Sequence, residues 1–434
     1  MPKRVFVLAL MFLLTISAAS QESSDVIGPD TYPDDINPLT GLPVENPDNL
    51  NRRPLLIKIS NYPPFVRDYQ VGLSDAEIVW ESLLAGGVTR FSALFLADDY
   101  EQIGPIRSAR LPDFELLRVY NSLLTFSGMA TGTLDIMRAD PLLPDRMVGG
   151  SGPCPPLCRY PQDGLALEHT LFGNTSQLRD WAVERDADVE PEALYGMAFS
   201  EEPLISGTAM GTMTIRYRET VVDWQWDAES ERWLRFTDGA AHMDTSQGVQ
   251  VSATNVVVLE DDHVIQPFVR DQYWGPPNFA YSLNLIGSGR IFMLRDGQVL
   301  EGEWRRATRA EPLTFFDSDG NLLTFKPGNT FFNLVPRWID GYQLEIKVAD
   351  APQAVVQGTT GTNMRYGPGE AYVTPDVAYG GDTFDLIGRN WSGTWVQLHR
   401  NDERAIWLPT NRVDVGNADV MSLPNARPTN ERGG

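Results

Sequence analysis

The chain has 434 residues, too many for one ordinary hydrophobic core, so two or three domains are expected. Acidic residues outnumber basic ones by 58 to 35, for a formal net charge of -23. That field repels polyanions, and no basic run of five or more residues offsets it, which argues against nucleic acid as a partner.

The first twenty residues, MPKRVFVLALMFLLTISAAS, carry two basic residues, an apolar run from Val5 to Leu14 and a group of small residues. This is the layout of a secretory signal spanning 1–20, and its apolar part is short for a membrane span. Cleavage is expected after Ala19 or Ser20, and the cysteine that a bacterial lipoprotein signal needs at that point is missing. The mature chain is therefore expected outside the cytoplasm, extracellular or periplasmic, with no transmembrane span. Residues 21–36 are rich in proline and aspartate and read as a linker.

From there LLIKIS reads as a strand, and DAEIVWESLLAGGVTRFSALFLADD as two apolar runs broken by Gly86 and Gly87. In PDFELLRVY, Pro112 suits a first helical position, with Asp113 and Glu115 in the first turn. NSLLTFSG reads as the next strand and TSQLRDWAVERDA as a helix capped by Thr175 or Ser176. Alternation of this kind predicts a mixed α/β unit over 37–190. From Thr212 the period shortens to two, and the Asp-Gly pairs in IFMLRDGQVLEGEWRR and LTFFDSDGNLLTF signal hairpins. An antiparallel, β-rich domain is expected over 196–338. Short strands between glycine turns over 354–415 predict a small barrel, and the polar stretch 416–434 a disordered tail. The expected class is thus α+β and multidomain.

The two cysteines stand in GPCPPLCRY, where the prolines exclude a helix. Export favours a disulfide between Cys154 and Cys158 over a metal site, for which His169 is the one further ligand nearby. No metal and no cofactor are expected, and no zincin helix, P-loop or nucleophile elbow is present.

The stretch IGPIRSARLPDFELL places Arg107, Ser108 and Arg110 on a turn leading into a helix start. Guanidinium forks beside free helix amides suit a carboxylate or phosphate. The alternative is that both arginines pair internally with acids such as Glu77 or Glu81. Glu81, after an apolar run, reads either as a buried acid–base group or as the partner of Arg90, Arg107 or Arg110. His169 and His242, the latter two residues before Asp244, join the candidates as base and orienter, or else as hydrogen-bonded structural histidines. Asn174, in EHTLFGNTSQLR, completes the candidate ligand-binding set.

The segments NPLTGLP, RRPLLIKISN, GLSDAEIVWESLLAGGVTRFSALF, GPIRSAR, EHTLFGNTSQLR and GAAHMDTSQGVQVSATNVVV together resemble the YerB family of bacterial exported proteins (DUF3048 type). The resemblance implies a layered α/β N-terminal domain followed by a β-rich one, with no established biochemical role. It departs at TFSGMATG, where relatives tend to have a histidine and a Gly-Ser pair and this chain has Phe126, Ser127 and Met129. NMRYGPGEAY, GGDTFDLIGRN, TWVQL and AIWLP resemble the bacterial SH3-like domain, which implies attachment to peptidoglycan or a wall peptide. The expected function is therefore that of an exported envelope protein, non-catalytic, held to the wall by the SH3-like domain. Its arginine loop is expected to bind a small anionic ligand or a protein partner. The rival is a wall-modifying hydrolase or transferase working through Glu81, His169 or His242.

Overall fold

The computed structural model describes residues 26–150, 152–204, 207–270, 279–337, 342–348, 351–399 and 405–426. The signal segment 1–20 and residues 427–434 of the expected tail lie outside the described residues. Strands dominate, with three short α-helices among the described residues. No helix among those residues is long and apolar enough to cross a membrane.

Among the described residues, fifteen strands join in one sheet that runs through both the first and the middle segments of the chain. Strands β1 (Leu55–Ser60), β2 (Ile78–Leu83) and β3 (Thr89–Phe95) lie in the order β2-β3-β1, antiparallel, and β4 (Leu123–Thr125) adds in parallel to β1. The strand Thr330–Pro336 then runs parallel to β2 on one side and to Asn255–Asp261 on the other. The seam between the two segments is thus a row of main-chain hydrogen bonds rather than an open cleft.

β1, β2, β3 and these two partner strands are buried at every position. Strands covered on both faces need apolar residues throughout, which is why they read as continuous runs. Leu55, Ile57, Val79, Phe91 and Phe331 fill one face, and Leu56, Ile78, Trp80, Leu94 and Phe332 the other. The alternation follows the two-residue period of a strand. Trp80 stacks on Phe332 with ring centroids 4.0 Å apart, and its Nε1 donates to Tyr120 Oη at 3.1 Å.

Helix α1 (Leu111–Val119) carries proline in its first turn, and Asp113 accepts the Arg110 amide at 2.6 Å. Helix α2 (Thr131–Ala139) is not signalled by its sequence, because it opens on Thr-Gly-Thr, poor helix formers. Helix α3 (Thr175–Glu184) is capped one residue earlier than expected. Asn174 accepts the Gln177 amide at 3.0 Å, while Thr175 is drawn away to accept the Tyr100 amide at 2.6 Å. In the middle segment the strands Gly287–Arg295 and Gln298–Arg306 form the hairpin expected around Asp296 and Gly297, both at positive φ (54° and 69°).

The last module is a five-stranded sheet, its centre formed by Thr383–Arg389 and Trp395–His399, with a separate two-stranded pair and its own core of Phe384, Leu386, Val396, Leu398 and Leu408. Residues 416–426 correct the expectation of a disordered tail. They form a 3-10 turn at Val420–Ser422, bury Leu423 and Ala426, and exchange main-chain hydrogen bonds with Arg389. Isolated apolar residues that plug a gap leave no periodic signal to read.

Candidate functional site

The sequence candidates divide into two groups. Glu81 lies on β2 and pairs with Arg235, Oε2 to Nη2 at 2.8 Å, both side chains at 0% exposure. The partner is none of the arginines expected. Glu81 projects from the sheet face that carries Val79 and Phe91, whereas Arg90 on β3 projects with Ser92 and Leu94 from the other. Thr89 Oγ1 and Asn61 Nδ2 donate to the remaining Glu81 oxygen at 2.6 and 3.2 Å. The Arg235 guanidinium is walled by Phe91, Trp224 and Phe331, 4.8 to 5.3 Å from their ring centroids.

His242 Nδ1 accepts from Arg235 Nε at 3.2 Å and from Thr237 Oγ1 at 2.8 Å. Because arginine can only donate, the ring proton sits on Nε2, which donates to Gln70 Oε1. Burial first, then the Arg235 and Arg67 charges, hold His242 well below the usual histidine range, so it stays neutral. Asp244 is spent separately, accepting the amides of Gly72, Ser74 and Ser246 at 2.9 to 3.2 Å. These three residues are struts between the segments, closed to any substrate.

The second group surrounds the loop from Gly104 to Arg110. The loop is pinned on both sides: the Arg107 amide donates to Lys58 O at 2.8 Å, the Ser127 amide to Arg107 O at 3.0 Å and the Ala109 amide to Gly128 O at 2.9 Å. Three side-chain hydrogen bonds from this group reach main-chain oxygens. Arg90 donates to Ser108 O at 3.0 Å, Arg110 to Ala109 O at 3.0 Å and Arg107 to Glu168 O at 3.2 Å. Glu77, an expected carboxylate partner, accepts the amides of Leu96 and Ala97 instead. Beneath the loop Lys58 is fully buried against Asp113 at 2.7 Å. His169 is buried with Nδ1 3.4 Å from Ser60 Oγ and its ring edge-on to Phe65.

The fields record how crowded this positive charge is. Burial lowers Arg107, Glu168 opposes, and Arg110 and Arg159 press it further down. Burial, Arg107 and Arg90 push His169 down to about 4, against the pull of Glu168. Lys58 is likewise lowered by burial, with Arg90 and Arg110 opposing the attraction of Asp113. Arg107 and Ser108 remain half-buried, and the neighbouring Gly128 faces open space where TFSGMATG leads into α2. The signal missed in the sequence was Lys58, whose apolar surroundings in LLIKIS mark a buried cation.

Asn174 serves as the α3 cap rather than joining either group. Cys154 and Cys158 are joined in a disulfide with their Cα atoms 4.8 Å apart. Among the described residues no three His, Cys, Asp or Glu side chains are grouped to hold a metal ion.

These features define a predominantly β, α+β chain whose first two segments share one sheet and carry a cation-lined loop. Residues 39–188 match the N-terminal domain, and residues 213–332 the C-terminal domain, of the family described as "Protein of unknown function (DUF3048)". The two matches take in more than half of the chain, which belongs to the DUF3048 family. It is similar to a protein of Bacillus subtilis (strain 168) named "Putative lipoprotein YerB", with 27% identity over 347 residues, covering 77% of this chain and 96% of that one. The crystal structure of the YerB protein from Bacillus subtilis has the same fold, with a TM-score of 0.57 at 24% identity, covering 71% of this chain and 99% of that one. Neither family domain extends into the last module.

Proposed function

We propose that the chain is a non-catalytic binding protein of the bacterial cell envelope that holds an anionic ligand on its arginine loop. The observation that carries this reading is Arg107, half-buried on the loop beside Arg110 and Arg159, which press on its charge, on a chain of net charge -23. Like charges brought together cost energy in the empty state, and an anion seated among them recovers it. The signal-like N-terminus and the lipoprotein named among the relatives support export. We read the last module as an SH3-like domain whose partner is peptidoglycan or a wall peptide.

Isothermal titration of the full chain with inorganic sulfate and phosphate tests the anion half. Saturable binding that weakens on Arg107→Gln supports it, and no binding to either ion removes it. Co-sedimentation with purified cell wall at physiological salt tests the other half, and a chain that stays in the supernatant ends the tethering idea. The enzymatic rival asks an acid–base group to meet a substrate, yet Glu81, His242 and His169 are 0%, 2% and 3% exposed. Muropeptides left unchanged after incubation with the chain are the expected result.

A further inference from the structure

The last module docks on the middle segment and leaves a groove of about 520 Å³ between the strand Gln298–Arg306 and residues 421–424. That size lies within the range of ordinary small-ligand sites. Its chemistry is divided by wall. On the module side stands Arg389, whose Nε donates to Met421 O at 3.3 Å and whose Nη1 donates to Asn390 O and Trp391 O at 3.3 and 3.4 Å. These carbonyls fix the guanidinium in place, and its charge is felt across the groove by Glu301. Among the described residues no carboxylate lies within ion-pair distance of Arg389.

On the strand side Glu301, with a side chain 41% exposed, is only loosely held by Arg290 at 3.6 Å. Glu303 and Arg305 pair with each other at 2.9 Å and cancel. Asp317 adds a second negative charge to this wall. Between the walls lie Leu300, Val299 and Phe292, closed on the module side by Leu423 and by Met421, which is 54% exposed. Trp391, 82% exposed, belongs to the same hairpin turn as the Asn390 carbonyl that holds Arg389.

We propose that this groove binds a short peptide that carries a free α-carboxylate and a basic side chain. A fixed guanidinium without a carboxylate partner suits the carboxylate, through paired hydrogen bonds. The opposite wall has the complementary sign for an ammonium group, and the apolar strip between them covers small side chains. Two or three extended residues, at about 3.3 Å each, separate an amino-bearing side chain from a C-terminus by about 7–10 Å. The site stands apart from the arginine loop and does not depend on it.

Isothermal titration of the full chain with lysyl-alanyl-alanine, as free acid and as C-terminal amide, tests the proposal. The acid is expected to bind about tenfold tighter than the amide. Arg389→Gln removes that preference. Because Arg389 also braces three carbonyls, Glu301→Gln serves as a second variant: it weakens both peptides, and the acid keeps its preference over the amide because Arg389 remains. Equal binding of acid and amide, no saturable binding, or a preference that survives Arg389→Gln overturns the proposal. So does binding that emerges only when the chain is cut after Ala426, since the groove then belongs to the chain's own C-terminal residues.

Discussion

Arg235 and Arg107 are the same side chain packed against the same body, yet they hold opposite electrostatic positions. Arg235 is fully buried and balanced: a carboxylate at 2.8 Å, an accepting histidine nitrogen and three aromatic faces absorb its charge. Arg107 is half-buried and crowded: Glu168 attracts it without an ion pair at contact distance, Arg110 and Arg159 press on it, and its hydrogen-bond partner is a main-chain oxygen. A buried cation that is balanced holds the fold together. One left crowded near the surface costs the fold something, and the proposed anion would offset that cost.

The comparison breaks most visibly at Glu81. Glu81→Ala leaves Arg235 buried and uncompensated, and should cost about 3–5 kcal/mol of stability in urea unfolding. Arg107→Gln removes one crowded charge and should leave stability within about 0.5 kcal/mol of the parent, or raise it. The same variant should lower sulfate affinity about tenfold, a loss of charge-assisted hydrogen bonds. If Glu81→Ala proves harmless, or Arg107→Gln proves as damaging as Glu81→Ala, the two arginines are not different in kind.

A third expectation concerns acid. His242 is buried and neutral, so in the folded state it binds fewer protons than in the unfolded chain below the ordinary histidine range near pH 6.5. Stability is then fully present above that value and is lost as pH falls below it, by about 1.4 kcal/mol per pH unit at most. Asp75 and Glu77, raised by burial, act in the opposite direction wherever they titrate. The readout is therefore the difference in slope between the parent and His242→Gln from pH 7 to 5, with the variant the flatter. Parallel slopes would place His242 in contact with solvent protons.

Local signals were legible in the sequence and long-range ones were not. The Asp296-Gly297 hairpin could be read because its turn chemistry lies within two residues. The central strands could be read because burial on both faces demands unbroken apolar runs such as LLIKIS. The partner of Glu81 stands 154 residues away, and nothing near either residue announces the pair. Arginines such as Arg90 and Arg107 lay nearer in sequence and were the natural expectation. Strand alternation at β2, set by register, sent the carboxylate to the other face. Helix α2 and the ordered stretch 416–426 escaped for the converse reason: each is held by what it packs against, Val269 beside Gly132 in one case and Arg389 in the other, rather than by its own propensities.

The smallest expected effect sharpens the crowded side of the comparison. His169 is pushed down to about 4 in part by Arg107 and Arg90, which face it, while Glu168 pulls the other way and Ser60 and Phe65 are neutral. An anion seated on the loop offsets those arginine charges and so raises the His169 pKa. Binding is then accompanied by proton uptake, and by linkage affinity rises as pH falls toward that range. Sulfate is the suitable probe because it stays a dianion throughout. Its affinity should increase about two- to threefold from pH 7 to 5. Carboxylates near the loop protonate over part of the same interval and add their own rise, so the decisive quantity is again a difference: His169→Gln should lose the part due to the imidazole. A variant whose pH profile superimposes on the parent's would mean that the anion sits out of reach of His169, and that the loop's charge is felt from another side.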